Sequence, residues 1–408
     1  MTTAECDVLR ERLARHPPDR YPAQHATTQF HLGSLLLRVG ETGSALDALA
    51  AAREVFGRIG MQVEHAKAGM MLGIGLRGAG RSADAEAAFD TAVTELSVLG
   101  QSAEQAAAAY NLGLVRADLG RSGEARAAWE QARELFVAAG HPAQAAAAAR
   151  DHGASLLAGG DPQGAVPLLD QAVRLSEAAG DLPGVGAAAN GLGLARLACE
   201  EPGPAAEALR AAVGAFPRGV RPAEHAMAKA NLALAYAACG VPARARLAAL
   251  QALAVPQAQA PVRAQASALL GQLPGDPVQD LQTVLSDTPP EQWAAVLREE
   301  VLRAGELPAD EYRALLRGML DGLLARPGQA YDLAESLLHV VVELPPRPYA
   351  QAVAALVLGT SGRPEDQTAR LHAVIGSAMA RFAIPQWQRL AAALNDAALA
   401  AGQPQAWR

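Results

Sequence analysis

The stretch Met71–Gly80, "MLGIGLRGAG", decides how this chain is read. Its Gly73-x-Gly75-x-x-Gly78 has the spacing of a dinucleotide-binding loop, where glycines let the backbone approach a pyrophosphate. Such a loop needs a preceding strand and a βαβ unit, and neither can be drawn around these residues. The glycines belong to a longer pattern. Forty residues earlier, 31–40 read "HLGSLLLRVG", and forty later "NLGLVRADLG" begins at 111. "DHGASLLAGG" follows at 151, "GLGLARLACE" at 191 and "NLALAYAACG" at 231. Repetition at this spacing, six times without an insertion, marks a stacked array rather than a cofactor site. No cofactor is expected, and neither lysine of the chain follows a glycine run of the P-loop kind.

Two alanine columns share the register. Ala45, Ala85, Ala125, Ala165, Ala205 and Ala245 form one; Ala52, Ala92, Ala132, Ala172, Ala212 and Ala252 form the other. Within one period the pattern is helical from about 103 to 119, stops at Gly120, and is helical again from about 122 to 139 before Gly140. Short glycine turns make each period an antiparallel helical hairpin, helix A then helix B. A glycine inside a helix costs about 1 kcal/mol relative to alanine, so Gly113 implies a close neighbour. Phe89, Trp129, Leu169 and Leu209, four positions after the first alanine column, supply the bulk to fill such gaps.

Leu112-Gly113, Gly120, Ala125, Trp129 and Ala132 together resemble the tetratricopeptide repeat (TPR), and "AxxNLG" from Ala108 resembles its forty-residue variant, as in kinesin light chain and several bacterial regulators. The likeness covers roughly 20–255. Departures are His152 for the leucine of repeat 4, Glu200 for the turn glycine of repeat 5 and Ala233 for the helix glycine of repeat 6. The resemblance implies an all-α fold, a right-handed superhelical α-α solenoid followed by a helical domain of degenerate hairpins. The expected divisions are a capping helix at 1–20, six repeats at 21–258, an extra helix and linker at 259–275, and an all-helical domain at 276–408.

The resemblance also implies that A helices line a concave groove that grips a protein or peptide. Counting from the Leu-Gly pair, repeat 1 offers Phe30, His31, Ser34 and Arg38, and repeat 2 offers Lys67, Met70, Met71 and Arg77. Repeat 3 presents Tyr110, Asn111, Leu114 and Asp118, and repeat 4 presents Arg150 and Asp151. Asn190 and Leu194 follow from repeat 5, then Met227, Asn231 and Leu234 from repeat 6. Methionine adapts to irregular apolar partners, and asparagine both donates to and accepts from a peptide backbone. The competing reading is that Phe30, Met70 and Tyr110 pack between adjacent A helices.

Composition narrows the function further. Half the residues are hydrophobic but only 4% aromatic, which favours closely packed helices over sheet. The net charge of −7 and the lack of a basic stripe argue against nucleic acid. No apolar run is long enough for a membrane span, the three cysteines are scattered, and the N-terminus lacks a signal core, so a cytoplasmic protein is expected. Self-association as a homodimer stays open. His25, His65 and His225 share a column at the start of helix A, too far apart for one metal. Cys199 and Cys239 share another, where a small buried residue is expected. Glu299-Glu300 show no base opposite them, and His339 reads as a core histidine. No catalytic constellation emerges. The leading expectation is a non-catalytic scaffold or adaptor; the alternatives are a ligand-responsive regulator acting through the C-terminal helices, and an enzyme or accessory protein of a biosynthetic or defence gene cluster.

Overall fold

The computed structural model describes residues 2–405 and 407, and divides them into two compact units, Met1–Glu200 and Glu201–Arg408. Every regular element among the described residues is helical, with no strand.

The first unit is a stack of hairpins. A short helix α1 (Thr2–Arg15) precedes α2 (Pro22–Val39) and α3 (Thr42–Arg58), α4 (Gln62–Gly78) and α5 (Ser82–Val98), and α6 (Ser102–Asp118) and α7 (Ser122–Ala138). Then come α8 (Pro142–Ala158) and α9 (Pro162–Ala178), with α10 (Leu182–Ala198) as the last. The glycines that separate these helices recur every twenty residues, from Gly40 to Gly180, all with φ between +66° and +88°. They stop each helix by the same device. Gly80 N donates to Arg77 O at 3.0 Å and Arg81 N to Leu76 O at 2.9 Å, which satisfies carbonyls the helix end leaves open. Glu200 takes the same place with φ +60°, the one non-glycine residue of positive φ among those described.

Packing follows the columns. Both alanine series are at most 1% exposed. Opposite them, Gly33, Gly73, Gly113 and Gly153 are each roofed by the bulky residue of their own B helix. A Cβ on Gly113 would lie 2.4 Å from Trp129 Nε1; on Gly73 it would lie 2.9 Å from the Phe89 ring, and on Gly153 2.8 Å from Leu169. The dinucleotide spacing at Gly73, Gly75 and Gly78 is therefore a packing pattern inside α4. A helices of neighbouring hairpins also touch, α2 with α4, α4 with α6 and α8 with α10. In repeat 4 the polar substitution places His152 Nδ1 3.4 Å from Glu130, itself paired with Arg133. Burial pushes the His152 pKa down, against the pull of Glu130.

The second unit opens as the first does. Helix α11 (Pro202–Ala215) is as short as α1, and a Pro-x4-Pro loop leads into α12 (Pro222–Ala238) and α13 (Pro242–Leu253). In this hairpin Ala233 replaces the glycine and Ala249 the bulky residue, and the two lie in one buried cluster. The exchange adds a methyl on the A side and removes a larger side chain on the B side, so this pair fills less volume than its counterparts. Helix α14 (Ala260–Gln272) packs on α12 and α13 as a further A-type helix.

Beyond it run α15 (Pro277–Ser286), a 3-10 turn at Pro290–Gln292, α16 (Trp293–Ala304), α17 (Ala309–Ala325) and α18 (Ala330–Val342). The last three are α19 (Pro346–Thr360), α20 (Glu365–Met379) and α21 (Ile384–Ala400). Here each helix packs chiefly on the next but one, giving two rows, α15–α17–α19–α21 and α16–α18–α20. One continuous core joins them, from Leu281 and Trp293 through Leu320 and Leu356 to Leu394. Trp407 closes that core. It is buried against His372, and Asn395 holds its backbone through bonds of 2.8 and 3.2 Å.

Candidate protein-binding surface

The residues expected to face a partner in the first unit stand on the A helices and split into three environments. His31 and Arg38 of α2 are exposed, and with Val8, Leu9 and Leu35 they line an open cavity of about 610 Å³ between α1 and α2. Phe30, Met70 and Tyr110 are half-buried and pack against the repeat cores, yet each keeps an accessible edge. Met71 is likewise half-buried. Asn190 is buried on α10.

The charged members form bridges between consecutive A helices. Lys67 reaches Glu104 at 2.7 Å, and Arg77 Nε reaches Asp118 Oδ2 at 2.6 Å, both from α4 to α6. Tyr110 donates its hydroxyl to Asp151 at 2.7 Å, from α6 to α8, and Arg150 holds the other oxygen of Asp151 at 2.9 Å. Burial, with the Asp151 charge beside it, pushes the Tyr110 phenol well above its usual range, so it stays a donor. The hydrogen bond from Lys67 holds Glu104 below the usual carboxylate range. Asn111 turns its amide onto its own helix, bonding Ala107 O at 2.8 Å. The wall is thus held in one arrangement by its own polar groups, with methionine and aromatic edges between the bridges.

Residues 104–178 match the tetratricopeptide repeat profile, and they span α6 through α9. This stretch carries tetratricopeptide repeats. Among solved structures, the apo form of RapI is 12% identical with a TM-score of 0.54, covering 79% of this chain and 87% of that one. BtubC (BKLC) from P. vanneervenii is 17% identical with a TM-score of 0.46, covering 52% of this chain and 87% of its own. The first likeness shows the TPR-type solenoid fold. No curated protein matches the sequence.

In the second unit the expected residues Met227 and Asn231 lie on α12. Met227 is half-buried, and Asn231 is buried and accepts from Gln265 of α14 at 3.0 Å. The TPR histidine column proves to be a clip. His25, His65 and His225 each turn Nδ1 to a carbonyl of the preceding B segment, His16, Arg53 and Phe216, at 2.8 Å. Among the described residues no three potential ligands gather for a metal, and no helix is long and apolar enough to cross a membrane.

Three sequence readings need correction. Glu299 and Glu300 do have bases opposite them. Lys229 Nζ lies 3.2 Å and His225 Nε2 3.5 Å from Glu299; Lys229 also donates to Gln251 at 2.7 Å, Gln251 to Glu300 at 2.6 Å, and Arg303 to Glu300 at 2.9 Å. Burial would raise the Glu299 pKa, but the His225 bond and the Lys229 charge override it and bring it down to about 2. The signal was present in the register. Lys229 falls on the buried column of Gly69, Ala109, Ala149 and Ala189, where an ammonium demands a carboxylate. Cys239 is exposed and Cys199 half-buried, because the column lies on the last turn where the A helix leaves the stack. His339 is exposed rather than in the core, stacked on Phe382 with 4.2 Å between ring centroids.

Proposed function

We propose that the chain is a cytoplasmic, non-catalytic adaptor whose first unit binds a segment of a partner protein along the A-helix wall. The single observation that supports this most is the wall itself. Bridges from α4 to α6 and from α6 to α8 fix its side chains in advance, so a ligand need not order them. Between the bridges lie Met70, Met71 and the ring of Tyr110, which suit the apolar positions of an extended segment or an amphipathic helix. The expected contact set is Phe30, His31, Arg38, Met70, Met71, Tyr110 and Asn111, with the bridging charges setting register.

The test is affinity purification of the full chain from its native host, followed by titration of each purified partner. A partner of this wall loses at least about tenfold in affinity on Met71→Glu or Asn111→Ala. Binding that survives both substitutions, or the absence of any saturable partner, rejects the reading.

A further inference from the structure

The second unit contains a pocket that the adaptor reading does not use. A cavity of about 350 Å³ opens between α11, α12, α13 and α16, with α15 closing one side. Volumes of roughly 300–1,000 Å³ are typical for small-molecule sites. Val213, Leu232, Leu247 and Val296 supply apolar walls. Charge enters through Arg210, Lys229, Arg244 and Glu299, three cations against one carboxylate.

The surplus is positional as well as numerical. Lys229 and Glu299 neutralise each other at 3.2 Å, and Lys229 is further tied to Gln251. Arg244 is held at 3.1 Å by the Asp287 carbonyl and the Thr288 hydroxyl, both neutral, so it is oriented without losing its charge. Arg210 is exposed. Neither arginine meets a carboxylate within ion-pair distance among the described residues. Two unneutralised guanidinium groups beside apolar walls are matched by an organic anion, and a pocket of this size suits a carboxylate carried on a hydrocarbon body. An amine of the same shape would face the surplus positive charge.

We propose that this pocket binds a small organic acid, its carboxylate at Arg210 and Arg244 and its hydrocarbon body against Leu232, Leu247 and Val296. The test uses the full chain and three matched probes, 3-phenylpropionate, 3-phenylpropanol and 3-phenylpropylamine, with the straight-chain acids from acetate to decanoate as a length series. Calorimetric titration should show saturable binding of an acid, with the alcohol and amine at least about tenfold weaker, the worth of a charge-assisted bond. Arg210→Gln, at an exposed position that leaves folding intact, should weaken the acid about tenfold. Ala295→Trp, at the exposed mouth, should block it. Acid binding no tighter than that of the alcohol overturns the proposal. So does acid binding indifferent to both substitutions, or no saturable acid in the whole series. Binding of a partner protein to the first unit is a separate measurement, and neither outcome decides the other.

Discussion

The first unit and the α15–α21 region of the second are both built from antiparallel helices, yet they hold together differently. In the first, consecutive helices are the closest neighbours, because alanine and glycine columns let backbones approach. Its buried side chains fall into small clusters shared by neighbouring helices, such as Ala85, Phe89 and Leu112. In α15–α21 the interfaces carry leucine, tryptophan, methionine and tyrosine, consecutive helices stand apart, and the strongest packing skips one helix. A single large core results. Side-chain size alone thus selects between a serial stack, whose stability is a sum of neighbour terms, and a block that stands or falls as a whole.

The contrast can be broken at chosen points. The largest effect is expected from Lys229→Met, which leaves the half-buried Glu299 without its ammonium and should destabilise the second unit by about 3 kcal/mol. Hydrogen exchange should then show protection lost throughout α12–α21, and the double variant Lys229→Met/Glu299→Gln should recover part of it. Loss confined to α12 would show that the block is not cooperative. Gly113→Val comes next. Its side chain must enter the space of the Trp129 indole, at a cost of about 2–3 kcal/mol. Here protection should fall at α6 and α7 and fade within a repeat or two, with α2 and α3 little changed; uniform loss across the first unit would contradict a serial stack.

Acid should separate the regions more gently. The Glu299 carboxyl titrates near 2 in the folded chain against about 4.5 ordinarily, so the folded state holds fewer protons across that interval. Its contribution is complete above about pH 4.5 and disappears as pH falls toward 2. Glu299→Gln should therefore flatten the acid limb of stability in the second unit, measured by denaturant titration at each pH. The smallest change is Glu200→Gly. Relief of a left-handed glutamate should stabilise the chain by about 1 kcal/mol, read as a raised thermal midpoint.

Much of this was legible in residues 21–255. The turn glycines, the alanine columns and the pairing of Gly73 with Phe89 or Gly113 with Trp129 follow from a strict register, because each pairing lies sixteen residues apart in one hairpin. The C-terminal helices were also legible as helices, from proline and glycine breaks. What could not be read was which of them meet. Lys229 and Glu299 are separated by three intervening helices with no shared period, so nothing local announces their contact. The bridges Arg77–Asp118 and Tyr110–Asp151 were hidden for a subtler reason. Each residue was expected to face a partner, and only side-chain geometry revealed that neighbouring repeats satisfy one another first.

By itself, then, the amino-acid order determined the helical hairpin, its length, its turns and its stacking in the repeats, since those depend on contacts within forty residues and on backbone sterics that glycine and alanine control. Tertiary structure alone decided how α15–α21 arrange into two rows, which charges pair, and where a cavity with surplus guanidinium groups is left open. Those outcomes depend on long-range packing of large side chains, for which many partners are chemically equivalent until the chain has closed on one of them.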